Sequence, residues 1–391
     1  MPDCGERMDG VIVQVGSLRP LDEDYPLAVL IERDAELQLI REYVENKDLN
    51  VWVEGKPGVG KTHTARFYAK QSGLENGVRV IYVHADASIK DAVCHGQKAY
   101  GLQIPRKEIC GTRFAEEFVK TYPDADRYVL IIDEPERVWA RRDVATFVHT
   151  YYDAMLSSHK AFNIVFVSGR INLQKAESFF PRETLSRLQL KSVIFSVYNV
   201  RQIIQILEQR LAYVYSTPGQ YDRHVVALIA KHIFQHANGD IRQALGITKY
   251  AVQTADNLGR PLTEEIVLEA IEWGKVNWLK GKILKDFSPH TAYMLYQTAI
   301  LSLETNTLTI DCPSIVRRYR QTIQQIGQDP IGQTSLYNGF KEIASEGLVK
   351  QSYVTTETTY QATLTFDEAK DRDRIIKIGQ SINWEERFAG L

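Results

Sequence analysis

The sequence predicts an α/β fold with a five-stranded parallel sheet, followed by an all-α block and a C-terminal winged helix. Short apolar runs alternate with helix-period stretches in the first half, and only helical patterns follow. The last hundred residues combine three helical patterns with two alternating segments. A length of 391 residues allows two to three domains, each with its own core.

The five apolar runs are the predicted strands of the first domain, residues 1–198. They are VWVEG from Val51, VRVIYVHA from Val78, VLIIDE from Val129, FNIVFVSG from Phe162 and SVIFSVY from Ser192. Four helical patterns then fill residues 199–274, and the winged helix is predicted within residues 275–391. The segment 274–286 is expected to carry the chain between these last two blocks.

The run GKPGVGKT follows the first strand and opens a helix, which is the context of a phosphate loop. Its glycines let backbone N–H groups surround phosphates, and the dipole of the next helix adds positive potential. Lys61 is predicted to reach the β- and γ-phosphates, and Thr62 to bind Mg²⁺. The cofactor is therefore predicted to be ATP or ADP with Mg²⁺. Its predicted contacts here are Gly55, Lys56, Pro57, Gly58, Val59, Gly60, Lys61, Thr62 and His63.

The run YVLIIDEPE is an apolar strand that ends in carboxylates, as a Walker B strand does. Asp133 is predicted to hold Mg²⁺ through water, and Glu134 to orient or deprotonate the attacking water. The alternative is a buried strand that ends in solvated acids.

The charge balance, cysteine spacing and hydropathy of the chain argue against several classes of protein. The 47 basic and 49 acidic residues nearly balance, so any nucleic-acid contact must be local. Four cysteines without CxxC spacing argue against a disulfide framework and a structural zinc. His232 and His236 have metal-ligand spacing but no third ligand, and we interpret them as structural. Without a membrane span or signal peptide in the sequence, we expect a soluble, cytoplasmic, nucleoid-associated protein with no membrane partner.

Together, these motifs resemble the archaeal origin-recognition and cell-division-cycle-six type of replication initiator, a branch of the AAA+ ATPases. The resemblance spans nearly the whole chain. It implies an AAA+ core, a helical lid at 199–274 and a winged-helix DNA-binding domain. It also implies slow, switch-like ATP hydrolysis, with origin duplex DNA, the replicative helicase and other initiator subunits as candidate partners. The alternatives are a regulatory paralogue that binds DNA as a repressor or competitor, and a clamp-loader-like, protein-remodelling ATPase.

Two segments resemble nucleotide-contacting parts of that family. DEDYPLAVLIERDAELQLI is similar to the segment that runs past the adenine, so Val29 and Leu30 are candidate base contacts, and Arg33 matches the family's arginine. A simple start of a helix is the alternative. GDIRQAL is similar to the family's Gly-Asp-Ala-Arg-Arg-Ala-Leu, so Asp240 is expected to cap a helix and Arg242 to reach over the nucleotide.

The fourth strand and the segment after it carry the remaining catalytic candidates. The family has a sensor asparagine where this chain has Gly169, which predicts inefficient hydrolysis unless Ser168 or Asn172 substitutes. PRETLSRL resembles the segment that supplies an arginine finger to a neighbouring subunit. Arg182 is the first candidate finger and Arg187 the second, and a solvated helix charge is the alternative.

Two regions are candidate DNA contacts. The family's inserted helical element, which touches duplex DNA, corresponds to residues 87–122. Its basic edge consists of Lys98, Arg106, Lys107 and Arg113, although a solvated hairpin would look the same. The winged-helix candidates are Arg317, Arg318 and Arg320 on the second helix, and Thr334, Ser335, Tyr337, Asn338 and Lys341 on the third. Because the predicted wing contains Glu357 and no Lys or Arg, its insertion into the minor groove is not expected, and protein binding is the alternative.

Overall fold

The structure is a computed structural model that describes residues 17–25, 30–72, 77–85, 88–137, 143–169, 171–176, 180, 182–215, 221–355 and 360–389. The predicted wing tip and Val29 lie outside these residues. The chain forms two compact units, Met1–Ile271 and Glu272–Leu391, and each is described by itself.

The first unit contains the predicted five-stranded parallel sheet. Its strands are β1 (Val51–Gly55), β2 (Val78–His84), β3 (Arg127–Asp133), β4 (Ala161–Val167) and β5 (Lys191–Phe195). They pair in parallel in the order β2-β3-β4-β1-β5, which confirms the predicted fold class. The carboxyl ends of β1, β3 and β4 therefore meet at one edge, where α/β proteins bind their ligands.

Helices cover both faces of this sheet over two apolar clusters. They are α1 (Asp34–Arg41), α2 (Lys61–Ser72), α3 (Ile89–Gly96), α4 (Gly111–Thr121), α5 (Asp143–Ser157), α6 (Leu173–Ala176) and α7 (Arg182–Leu188). The predicted insertion forms α3, two 3-10 turns and α4. Phe114 and Phe118 of α4 are fully buried, so the insertion is anchored to the core.

The helical lid has its own apolar cluster. Its helices are α8 (Val200–Val214), α9 (Arg223–His236), α10 (Ile241–Asn257) and α11 (Glu264–Gly281). Polar side chains start three of them: Asn199 forms a capping box on α8, Asp222 caps α9, and Asp240 caps α10. These caps satisfy N–H groups that would otherwise lack partners in the first turns.

The second unit has the predicted winged-helix elements and additional ones. Its helices are α12 (Pro289–Glu304), α13 (Cys312–Gln325), α14 (Gln333–Ser345), α15 (Ala369–Gln380) and α16 (Trp384–Ala389), and its strands are β6 (Thr309–Asp311), β7 (Lys350–Thr355) and β8 (Tyr360–Thr365). The strands form an antiparallel sheet of order β6-β8-β7. The elements β6, α15 and α16 were not predicted from the sequence. The segment 274–286 is helical and consists of the end of α11 and a π turn at Lys282–Asp286.

Candidate nucleotide-binding site

The phosphate loop lies between β1 and α2. Gly58 and Gly60 have φ angles of +77° and +89°, which side chains other than glycine rarely adopt. Neighbours also exclude a side chain at both positions. A Cβ atom on Gly58 would lie 1.9 Å from Asp240 Oδ1, and one on Gly60 would lie 2.4 Å from the Tyr198 hydroxyl. The loop is therefore shaped by close contacts as well as by backbone freedom.

Lys61 is folded back into this loop. Its ammonium donates to the carbonyl oxygens of Gly55 and Lys56, at 2.7 Å each. Burial lowers the pKa of Lys61 to about 8, although Asp133 partly opposes this effect. The site therefore holds a buried cation that a phosphate group would stabilise.

Asp133 is almost completely buried at the end of β3. The Tyr82 hydroxyl donates to its Oδ2, while its Oδ1 is buried without a hydrogen-bond partner among the described residues. A buried carboxylate oxygen without a partner is suited to a cation or its bound water. Asp133 therefore fits Mg²⁺ or its bound water, and Thr62, in the first turn of α2, is partly exposed and remains the other predicted ligand.

Tyr82 and His84 were missed as members of this site. His84 ends β2 directly opposite Asp133 in the sheet register. Its ring nitrogens lie 3.7 Å from Asp133 Oδ2 and 3.7 Å from Glu134 Oε2. The sequence could have indicated His84, because it lies at the end of the second apolar run. The carboxyl ends of neighbouring parallel strands lie side by side, which places this end beside Asp133.

Glu134 has a left-handed backbone, with φ of +53°, and its carboxylate pairs with Arg137. Its backbone N–H donates to Val167 O at 2.8 Å, which fixes it beside the end of β4. This strained conformation turns the residue out of the strand at the edge where the phosphate loop lies.

At the sensor position, the backbone of Gly169 takes part in the site. Its N–H donates to Glu136 Oε1 at 2.7 Å. The two candidate substitutes have local partners: Ser168 Oγ accepts from Ile171 N, and Asn172 Oδ1 accepts from Lys175 N, both at 3.0 Å. Both oxygens are thus used to shape the loop after β4.

The first turn of α10 contacts the phosphate loop directly. Ile241 N donates to Gly58 O at 3.2 Å, and Lys56 Nζ lies 3.4 Å from Asn238 Oδ1. Arg242 pairs with Asp240, at 3.2 Å from Nε to Oδ1 and 3.1 Å from Nη2 to Oδ2. Arg242 and Lys61 are also close enough for the guanidinium to disfavour the lysine charge, which helps to lower the pKa of Lys61.

The predicted adenine segment is attached to the same loop. Leu30 is buried in an apolar cluster that includes Val59 and Phe195. Arg33 is only 2% exposed, and its Nε donates to Val59 O at 3.0 Å. His63, at the start of α2, is also largely buried, and this burial lowers its pKa to about 4. Its imidazole is therefore neutral near pH 7.

The two candidate arginine fingers on α7 differ in their surroundings. Arg182 is exposed, whereas Arg187 Nη1 pairs with Asp153 on α5 at 2.6 Å. Arg187 therefore has a structural partner within its own chain, and Arg182 remains the first candidate.

The basic edge of the insertion is partly neutralised. Arg106 pairs with Asp91 at 2.5 Å and Arg113 with Glu116 at 3.2 Å. Lys98 and Lys107 are exposed. These two lysines are the cations of the predicted edge that are best placed to meet a phosphate backbone.

In the winged helix, Leu336, Phe340 and Ile343 form the buried face of α14. Four candidate contacts are exposed, and they are Thr334, Ser335, Asn338 and Lys341. Tyr337 is only partly exposed and packs edge-on against Phe340, with ring centroids 5.6 Å apart.

On α13, Arg317 and Arg320 are exposed and line a groove of about 380 Å³ together with Tyr337. Arg318 is different, because its Nη2 pairs with Glu304 at 2.8 Å. This arginine connects α13 to α12 and is less available to a ligand.

His232 and His236 have ring centroids 4.9 Å apart. Across the described ranges, no three His, Cys, Asp or Glu side chains come together as a metal site. The structural interpretation of this pair remains. Every helix in the part of the chain that the structure describes is too short or too polar to cross a bilayer.

The sheet order, the phosphate loop and the helical block after the sheet are those of an α/β AAA fold. A family model for the AAA domain matches residues 45–176. The ORC1-type DNA replication protein of Pyrococcus abyssi is 24% identical over 323 residues, which cover 78% of this chain and 74% of that protein. The ORC1 protein of Aeropyrum pernix, solved in complex with DNA, is 21% identical to this chain, with a TM-score of 0.67. The match covers 96% of this chain and 98% of the ORC1 chain.

A second solved structure, the ORC2 protein of Aeropyrum pernix in its ADPNP–ADP complexes, is 20% identical to this chain, with a TM-score of 0.64. The match covers 96% of this chain and 100% of the ORC2 chain. The predicted resemblance is thus confirmed. This chain is similar to ORC1/Cdc6-type replication initiators of the AAA+ ATPase family, at about 24% identity over most of its length.

Proposed function

We propose that this protein is an ATP-dependent DNA-binding replication initiator. ATP with Mg²⁺ binds between the phosphate loop and the lid, the winged helix binds origin duplex DNA, and the protein helps to recruit the replicative helicase. The observation that carries the proposal is the direct contact of α10 with the phosphate loop, from Ile241 N to Gly58 O at 3.2 Å. This contact allows the lid to respond to the nucleotide.

The residues present determine what each group would do in this site. Lys61 and Arg242 would neutralise phosphate charge, and Thr62 and Asp133 would hold Mg²⁺, which stabilises the charge that develops on the phosphoryl group. Arg182 would reach the nucleotide of a neighbouring subunit as a finger. The side-chain oxygens of Ser168 and Asn172 already accept local hydrogen bonds that hold them in the loop after β4, which supports slow hydrolysis because neither oxygen is reserved for the attacking water.

Glu134 is proposed to orient or deprotonate the attacking water. We expect Glu134→Gln to slow single-turnover ATP cleavage by about 100-fold or more, because an amide cannot accept the proton. Rapid-quench measurement with excess protein tests this expectation. ATP affinity should stay within about threefold of wild type, since binding depends on other groups. An unchanged cleavage rate would exclude Glu134 as the base.

DNA binding is proposed for the exposed face of α14 and for Arg317 and Arg320 of α13. Fluorescence anisotropy with an origin-region duplex and a scrambled duplex, with ATP at two salt concentrations, tests it. We expect replacement of both Asn338 and Lys341 by alanine to weaken origin binding by about tenfold or more, and scrambled-duplex binding less. Arg317→Ala should weaken both duplexes and reduce the salt dependence.

Arg318→Ala is the matched control, because the neighbouring Arg318 is paired with Glu304. Its DNA affinity should change less than that of Arg317→Ala. Equal, weak binding of both duplexes that disappears at higher salt would leave only phosphate contacts. That result would contradict origin recognition and favour the protein-remodelling alternative.

One observation favours the regulatory paralogue as a second candidate function. The sensor position offers a backbone N–H, which Glu136 accepts at 2.7 Å, in place of a side-chain amide. A protein of this kind would bind DNA as a repressor or competitor, without depending on its nucleotide state. If the protein is such a paralogue, the Lys61→Ala variant should bind DNA with the same affinity as the wild type.

A further inference from the structure

We propose that Arg33 is a positioning residue that holds the phosphate loop in the conformation that binds a phosphate chain. The inference rests on the proposed ATP-binding function and adds a residue that the adenine-contact prediction did not cover. Arg33 lies outside the loop, 26 residues before Val59, and joins it through a buried hydrogen bond. Its guanidinium is 2% exposed, and a buried charge is stable only when its donors are satisfied.

The donors of Arg33 point in three directions. Nε donates to Val59 O at 3.0 Å, Nη2 donates to Ser196 O at 2.7 Å, and Nη1 pairs with Glu36 at 2.7 Å. The guanidinium also stacks on Tyr198, with Cζ 3.9 Å from the ring centroid. Only a planar group with several fixed donors makes all four contacts, so lysine is not an equivalent residue here.

The bond to Val59 O fixes the orientation of one peptide group. In a planar trans peptide, the carbonyl of Val59 and the N–H of Gly60 point in opposite directions. Since Arg33 holds the carbonyl on its own side, the Gly60 N–H is directed away from Arg33. Inward-pointing N–H groups of a phosphate loop are the groups that bind phosphate oxygens.

Tyr198 limits the loop on the same side. Its hydroxyl would lie 2.4 Å from a Cβ atom on Gly60, and Arg33 Nε would lie 3.8 Å from that atom. Arg33 and Tyr198 therefore form one stacked layer behind Gly60. This layer prevents the Val59–Gly60 peptide from rotating, and a donor that is already oriented binds its ligand without a further entropic penalty.

If Arg33 positions the phosphate loop, its replacement should lower the affinity for the phosphate groups of a nucleotide and not for its adenine base. We expect Arg33→Lys in the full-length protein to bind both ADP and inorganic tripolyphosphate roughly tenfold more weakly, the loss of one or two hydrogen bonds. Displacement of a fluorescent ADP analogue measures both ligands. Arg41→Lys is the matched control: Arg41 ends the helix α1, bonds Gln71 of α2 instead of the phosphate loop, and its replacement should leave both affinities within about twofold of wild type.

A second, more conservative variant tests the proposal if the Arg33→Lys protein does not fold. Tyr198→Phe keeps the stacked ring and removes the hydroxyl behind Gly60, and it should weaken tripolyphosphate binding by about threefold. Thermal midpoints measured alongside separate folding from binding. Folded variants that lose ADP affinity but keep tripolyphosphate affinity would overturn the proposal, because Arg33 would then act through the adenine segment. Failure of the wild-type protein to bind either ligand would instead overturn the proposed function.

Discussion

Lys61→Ala is expected to weaken ATP binding by about 100-fold or more. The ammonium is buried in the phosphate loop, where it bonds two carbonyl oxygens that cannot neutralise its charge. Transfer to phosphate oxygens would replace these neutral acceptors with anionic ones, which pair with the buried charge and neutralise it. Isothermal titration of the full-length protein measures the change.

The pH dependence provides an independent check. Because burial lowers the pKa of Lys61 to about 8, the nucleotide-free protein loses this charge above pH 8, whereas bound phosphates would retain it. Wild-type ATP affinity should therefore fall as the pH rises above 8, and that of Lys61→Ala should not. Lys70→Ala, an exposed lysine in the last turn of α2 and outside the phosphate loop, should remain within about threefold of wild type and keep the pH dependence. Equal affinities for all three proteins would contradict the assigned role.

Gly111→Ala is expected to destabilise the first unit by about 3 kcal/mol, near the upper end of the usual effect of overpacking. A Cβ atom on this first residue of α4 would lie 2.0 Å from Phe147 O and 2.3 Å from Tyr151 N on α5. Both are backbone atoms, so the helices must separate. Thermal unfolding should show a midpoint lower by roughly 6–12 °C.

Gly246→Ala is the matched control, because this glycine lies within α10 and has nothing within 4 Å of the added atom. Alanine favours a helix over glycine by about 0.5–1 kcal/mol, so this variant should be slightly more stable than wild type. A Gly111→Ala protein as stable as wild type would show that α4 and α5 are not in close contact.

Much of the fold could be predicted because its signals are local. The five buried strands are continuous apolar runs, and GKPGVGKT specifies a phosphate loop through its own backbone geometry. The strand β6 was missed because three residues give no periodicity. The helix α15 was missed because its sequence, AKDRDRIIKIGQ, is mostly polar and has a narrow apolar face.

The partners of the charged residues could not be predicted, because they depend on tertiary contacts. Arg33 bonds the carbonyl of Ser196, 163 residues later in the sequence. Arg317 and Arg318 are adjacent and chemically identical, yet only Arg318 meets Glu304. Such distant neighbours decide whether an arginine is free to bind a ligand. The periodicity of the sequence and the spacing of its motifs do not reveal them.

The hydrogen bond from the backbone of Gly169 to Glu136 has an evolutionary consequence. A side-chain sensor is lost by a single substitution, whereas a backbone N–H persists for every residue except proline. The nearest atom to a Cβ on Gly169 is Glu136 Oε1 at 3.6 Å, an ordinary contact distance, so the methyl group of alanine fits at this position. The hydrogen bond beside β4 is therefore compatible with alanine at residue 169, whereas a substitution of Glu136 that removes its carboxylate removes the acceptor.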